Sequence, residues 1–423
     1  LILSDDLQRV DGAAHIEYTN NDPAALSDIY LWLYPNLLGG AMSVTNLRLD
    51  GAPATPTLWQ NGALLRLPLP APLPPGGRLT LRMDFTVTVP TTPVSNYGIL
   101  SLMDGVLALA HAYPMLAVYD ENGWRIAPPS PYGDIVHADA ADYDVTIHAP
   151  AGWVLAASGE ETLTLSADGR QTLHVQIGPA RDFYLAASPN YDILSQEASG
   201  VQINVYAPAA QRPRAANALS AAARALERFS ARYGPYPYPE LDIVVTPNFA
   251  LGIEYPGIIA LTNRLLTDEL SPLYLESTVV HEVAHQWFYN LVGNDQVNEP
   301  WLDESLSQFA TWQYYTDLTG SEANPYHDTF TARWAAVDNE PIPIGQPVAA
   351  YDGAAYSAII YGRGALFLIE LRQRMGVTAF DAFLRDYTTT YAWGIANTSG
   401  FRALAEQHCA CNLTSLFEAW VLP

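Results

Sequence analysis

The feature that most constrains this chain is a short set of histidines and glutamates that must converge on one point. His281-Glu282-Val283-Ala284-His285 puts two imidazoles four residues apart, one above the other on the same face of a helix. Two neutral imidazoles presented in this way can hold one Zn²⁺, and Glu282 between them is placed to polarise a water at the metal. Taken alone, the string fits a buried helix with two satisfied histidines equally well. Glu304 separates the readings. It follows His285 after 18 intervening residues, in Trp301-Leu302-Asp303-Glu304, on a segment with its own helical pattern. Two histidines and one carboxylate leave a fourth position open, which is the arrangement of a catalytic zinc site, not a structural one. The expected cofactor is therefore one Zn²⁺ per chain on His281, His285 and Glu304, with Glu282 as general base.

A chain of 423 residues is too long for one ordinary core, so two domains are expected, 1–192 and 193–423. The first reads as short alternating segments broken by Pro, Gly, Asn and Asp. Leu79–Val87 and Asp142–His148 show the alternation clearly, and together these segments predict an antiparallel sandwich or saddle. Pro68 to Gly77 reads as a loop. Ala110–Leu116 and Asp120–Trp124 are not periodic, and they fit either a packed loop or the wall of a substrate pocket between domains. After Tyr206 the period changes. Leu219, Ala222, Leu226, Phe229 and Tyr233 mark an amphipathic helix ending at Gly234, and strands follow at Leu241–Thr246 and Ile258–Leu261. Pro300 opens the helix that carries Glu304, and further helices are expected at 364–375, 378–389 and 401–409. The fold class is multidomain α+β, a β-rich domain followed by a mainly helical zinc-peptidase lobe.

Two more residues attract attention. Tyr361, in Tyr361-Gly362-Arg363-Gly364, stands at an expected loop-to-helix junction and can donate to an oxyanion; in a chain with 25 tyrosines, one more packed aromatic is the alternative reading. Glu254 lies on a Gly-bracketed apolar strand edge, a poor place for a charge without a partner; a substrate α-amine or an arginine would serve. The other histidines, His15, His111, His137, His148, His174, His327 and His408, have no ligand-like spacing and read as surface or loop residues. No Gly-x-Ser-x-Gly elbow or phosphate-cradling glycine loop is present.

The formal net charge is −24, and all 20 basic residues are arginine, which argues against nucleic acid or anionic membrane as a partner. No apolar run reaches the ~18 residues of a bilayer span. The chain begins at Leu1, not Met, so it reads as a mature or trimmed form, with an extracytoplasmic location favoured over a cytoplasmic one. Cys409 and Cys411 would close a very small ring and are expected as free thiols. A monomer is the expected state.

His-Glu-Val-Ala-His-Gln-Trp at 281–287 and Trp-Leu-Asp-Glu at 301–304, with Gly-Ile-Glu-Tyr-Pro-Gly at 252–257 and Tyr-Gly-Arg-Gly at 361–364, resemble the zinc-dependent aminopeptidases of the aminopeptidase N family, within the gluzincins. The resemblance implies a β-saddle on a thermolysin-like lobe that removes N-terminal residues from peptides. It implies Zn²⁺ on His281, His285 and Glu304, Glu282 as base and Tyr361 at the oxyanion. It also implies that Glu254, with Gly252 and Ile253, binds the substrate's amino terminus. Three departures stand out: Gly252-Ile253-Glu254-Tyr255 where the family usually has Ala-Met-Glu-Asn, Ser305 for Gly, and Arg363 for Lys. The β-domain residue that usually helps to hold the amine has no match near Ala108–His111. The chain ends at Pro423, before the family's C-terminal helical domain, so a more open cleft is expected, and with it an endopeptidase alternative. A catalytically silent binding module of the same fold is the other alternative.

Overall fold

The computed structural model describes residues 1–92, 96–166 and 169–422. The first lobe is built from an eight-stranded sheet in the order 160–165, 170–180, 141–150, 2–3, 9–19, 78–88, 41–49 and 52–53, with two four-stranded sheets packed beside it. Alternation sets its faces: on Arg78–Thr88 the side chains of Leu79, Leu81, Met83, Phe85 and Val87 are buried, while Arg78, Arg82, Asp84 and Thr88 face outward. The expected loop at Pro68–Gly77 is corrected in part, because a strand runs from Leu64 to Leu73. Its neighbour Thr57–Trp59 covers only Leu64–Arg66, so Pro68, Pro70 and Pro72 fall where one edge is free and a missing N–H costs no ladder bond.

The second lobe begins with the hairpin Tyr191–Ala198 and Val201–Pro208, which joins Glu240–Thr246, Ile258–Thr262 and Gly252–Tyr255 in a five-stranded sheet. Gly252–Tyr255 is the outer strand and, among the described residues, pairs only with Ile258–Thr262. Helices pack on this sheet and behind it: α1 (Arg212–Tyr233), α2 (Pro272–Ala284), α3 (Trp301–Thr319), α4 (Pro325–Ala335), α5 (Gly353–Ala358), α6 (Gly364–Met375), α7 (Val377–Thr390), α8 (Thr398–Cys409) and α9 (Thr414–Trp420). The five apolar residues that marked α1 are all buried, and Gly234 ends it with φ 111°. The helical stretch Gly353–Met375 has the length and hydropathy of a membrane span, but 67% of its apolar window is buried inside the lobe, as expected of a core helix.

Arg181 ties the lobes together. Its buried guanidinium donates to the carbonyls of Tyr289 at 2.9 Å, Ala138 at 3.1 Å and Gly394 at 2.5 Å. Cys409 and Cys411, expected as free thiols, form a disulfide with Cα atoms 5.1 Å apart. Ala410 between them is left-handed, with φ 49°, and this turns the chain sharply enough for the two Cβ atoms to converge.

Where the lobes meet, three carboxyl groups gather with no arginine paired to them among the described residues. Glu161 accepts from the backbone N–H of Ala157 at 2.6 Å, and Asn204 donates to Glu240 at 2.6 Å and to Asp242 at 3.0 Å. Burial pushes the partly buried Glu161 carboxyl up to about 8, and Glu240 adds to the rise. The unfolded carboxyl titrates near 4.5, so folding favours the protonated form. Stability is then greatest below that value and falls as pH rises toward about 8. Glu161→Gln, which keeps the acceptor for Ala157, is expected to raise stability by about 2 kcal/mol at pH 8 and by little at pH 4.5. Equal gains at both pH values in chemical denaturation would show that Glu161 is not the titrating group.

Candidate metal centre and substrate cleft

α2 is buried along most of its length, and its last turn carries His281 and Glu282, with His285 as the residue that closes it. The imidazole rings lie 4.6 Å apart and nearly perpendicular. His285 Nδ1 meets the carbonyl of Phe288 at 3.0 Å. That bond puts the proton on Nδ1 and leaves Nε2 as a bare donor atom. α3 enters from the other side with Glu304 in its first turn. His281 Nε2 is 3.1 Å from Glu304 Oε2 and 3.1 Å from His285 Nε2, and His285 Nε2 is 3.4 Å from the same carboxylate oxygen. A tetrahedral centre with ligand bonds of about 2.0–2.1 Å separates its ligand atoms by about 3.3–3.4 Å, so this triangle has the size that Zn²⁺ requires. All three residues are buried, and the bare His285 nitrogen facing a second imidazole nitrogen and a carboxylate needs a cation or a proton among them. Burial opposes ionisation of Glu304, but the two imidazoles outweigh it and hold the carboxyl well below the usual range.

Glu282 lies on the cleft side of α2, against the outer strand. A Cβ on Gly252 would fall 2.3 Å from Glu282 Oε1, so this position has to be glycine for the carboxylate to lie there. Burial raises the Glu282 carboxyl well above its ordinary value; His285 opposes the rise, and Glu254 and Glu304 add to it. Gln286 fixes the strand to the helix, accepting from Gly257 N–H and donating to the carbonyl of Tyr255, both at 3.1 Å.

Tyr361 was expected at a loop-to-helix junction. It sits instead in a widened π-type turn, Ile359–Arg363, between α5 and α6. Such turns interrupt the regular ladder and are frequent at functional sites. Its hydroxyl donates to Glu304 Oε1, and its ring lies 6.0 Å from that of His281. Two of the departures from the family pattern are explained here. Ser305 Oγ donates to the carbonyl of Ile360 at 2.7 Å, and Gly364 makes room, since a Cβ there would lie 2.0 Å from that hydroxyl. Arg363 points away from the cleft and donates to the carbonyls of Ile342, Trp420 and Ala419 at 2.6–2.9 Å, with its guanidinium 4.6 Å from the Trp420 ring.

Glu254 is buried on the outer strand, and no arginine faces it among the described residues. Gln296 Nε2 donates to Glu254 Oε1 at 3.1 Å and to Asp303 Oδ2 at 2.7 Å. Asp134, from the first lobe, brings a third carboxylate within 4.8 Å of those two. Burial, then Glu304, pushes Asp303 up to about 8, and burial with Glu254 raises Asp134 well above the carboxylate range. Asp134, Gln296, Asp303 and Ser305 were missed as site residues; among them only Asp303, inside the Trp-Leu-Asp-Glu string, carried a local signal. His111 and His137 lie in loops, one of the two places expected for them, but they are buried, because the segments that carry them pass between the lobes.

A β-lobe packed on a lobe whose buried helices bring His-Glu-x-x-His and a distant glutamate to one point defines a two-domain metallopeptidase-type fold. Residues 217–420 match the model of the Peptidase family M1 domain. Aminopeptidase M1-B of Oryza sativa subsp. japonica is 26% identical over 280 residues, covering 59% of this chain and 31% of the relative. Aminopeptidase M1 of Arabidopsis thaliana is 27% identical over 300 residues, covering 66% and 34%. The matches thus span about a third of the length of these curated relatives. A crystal structure of an M1 zinc metallopeptidase from Deinococcus radiodurans shares the fold across both lobes, with a TM-score of 0.71, 21% identity and coverage of 98% of this chain and 90% of the other.

Proposed function

We propose that this chain is a zinc-dependent aminopeptidase working as two lobes, divided close to the expected 1–192 and 193–423, with the second opening at the strand Tyr191–Ala198. The observation that carries this reading is the set of three carboxylates, Asp134, Glu254 and Asp303, gathered beside the His281–His285–Glu304 triangle with no lysine or arginine paired to them among the described residues. His281, His285 and Glu304 would hold Zn²⁺, which when bound supplies a Lewis acid and an acidified water. Glu282, buried next to that point, takes the proton from the attacking water and delivers it to the departing amine. Tyr361 turns its hydroxyl from Glu304 toward the oxygen of the attacked carbonyl and donates to it as charge develops. The peptide lies along the free edge of Gly252–Tyr255, where the backbone of Gly252 and Ile253 is available to align it. Its free α-ammonium then meets Glu254, with Asp134 beside it. A cation there offsets the cost of gathering three buried carboxyl groups.

The amine requirement separates this reading from an endopeptidase with the same chemistry. A free aminoacyl anilide is expected to be cleaved at least ~100-fold faster, in kcat/KM, than its N-acetylated form. Glu254→Gln is expected to lower kcat/KM on the free substrate by about 10- to 100-fold, roughly the worth of one charged hydrogen bond. Equal rates on blocked and free substrates would overturn the aminopeptidase assignment.

A further inference from the structure

Beyond Glu254 the cleft continues into a small cavity of about 30 Å³ between the lobes. A buried water needs about 10–15 Å³ by the same measure, so the cavity has room for roughly two non-hydrogen atoms, and for three with small adjustments. Its walls are not uniformly apolar. Among the described residues, Asn96 Nδ2 is buried at the cavity without a hydrogen-bond partner. His111 also lines it and is buried, with Nδ1 at ion-pair distance, 2.7 Å, from Asp182 Oδ2 but without hydrogen-bond geometry to it. Asp182 is held in turn by the hydroxyl of Tyr113 at 2.6 Å. Nδ1 faces the Asp182 carboxylate, so Nε2 is the ring nitrogen directed elsewhere and open to a ligand. Asn96 and Tyr97 both have left-handed backbone, φ 40° and 57°. That is costly for a tyrosine and is retained where the surroundings dictate it.

Resting on the aminopeptidase reading, the geometry points to this cavity as the pocket for the side chain of the substrate's first residue, built for a short, uncharged side chain that carries a hydroxyl. The first residue's amine at Glu254 places its Cα at the mouth of the cavity. A side chain of two or three heavy atoms fills the space, and its oxygen meets the amide of Asn96 and the imidazole of His111. A carboxylate is excluded by Asp134, Glu254 and Asp182, and a long or aromatic side chain by volume. An apolar isostere fits in shape but leaves two buried polar groups unmatched, which is the situation in which a site discriminates strongly against a missing hydroxyl.

Threonine and valine are isosteric and provide the test. The wild-type protein is expected to cleave threonyl anilide at least 10-fold faster in kcat/KM than valyl anilide, with leucyl and phenylalanyl anilides slower still. Asn96→Gly, which tolerates the left-handed backbone, and His111→Ala are each expected to bring the threonine-to-valine ratio below threefold. A ratio of rates on one preparation is insensitive to the fraction of the variant that is folded. Calorimetric titration with L-threoninamide and L-valinamide reads the same preference without turnover. Cleavage with valine or leucine at least as fast as threonine, or a ratio unchanged in both variants, overturns the pocket assignment and leaves the peptidase reading intact. Tighter binding of threoninamide with no turnover of any anilide overturns the peptidase reading and keeps the pocket.

Discussion

Glu282→Gln is expected to lower kcat on a free aminoacyl anilide by about 10³-fold, within the 10²–10⁴ range of a lost general acid–base group. The amide has the volume of the carboxylate and fits the same space against Gly252, where a Cβ would come within 2.3 Å of Glu282 Oε1. The fold and the metal ligands should therefore be undisturbed. Glutamine cannot accept a proton from water at neutral pH, so the loss should appear in kcat with KM changed by less than about threefold. Steady-state kinetics with zinc content measured on the same preparation checks this. A variant that retained full zinc and more than a tenth of wild-type kcat would assign the proton transfer to another residue.

Glu304→Ala is expected to reduce zinc from one equivalent to below about a tenth after dialysis, with activity falling in proportion and only partly restored by excess zinc. Two imidazoles alone make a weak site, and the lost carboxylate is the group on which both histidines and Tyr361 converge. The substitution also removes the partner of the Tyr361 hydroxyl, so zinc added at high concentration should not recover full kcat. Elemental analysis and a zinc titration of activity provide the readout. Stoichiometric zinc in this variant would mean that the triangle of His281, His285 and Glu304 is not the metal site.

The site was readable from sequence where its geometry is local. His281 and His285 fall on one face because a helix repeats every 3.6 residues, and Glu304 could be joined to them because its own helix has a clear start at Pro300. Asp134 was not readable. It comes from a stretch rich in Pro, Gly and Asp with no period, and only the packing of one lobe on the other brings it to Glu254. His111 was readable only as part of a stretch that could wall a pocket; its position against Asp182, 71 residues away in sequence, was not readable. The strand through Pro68, Pro70 and Pro72 was missed because proline marks a loop unless one edge of the strand is free, and edge pairing is not a local property. The disulfide was missed because ring size alone disfavours it, and the left-handed Ala410 that permits it leaves no trace in composition.

Arg363 occupies the second position after Tyr361 and hangs the last residues of the chain from its guanidinium through the carbonyls of Ala419 and Trp420. The closing helix is thus an outer buttress of the turn that aims the tyrosine, although it lies on the far side of the lobe from the cleft. Shortening the protein before Ala419 would take both acceptors from Arg363 and leave the Ile359–Arg363 turn without its outer support.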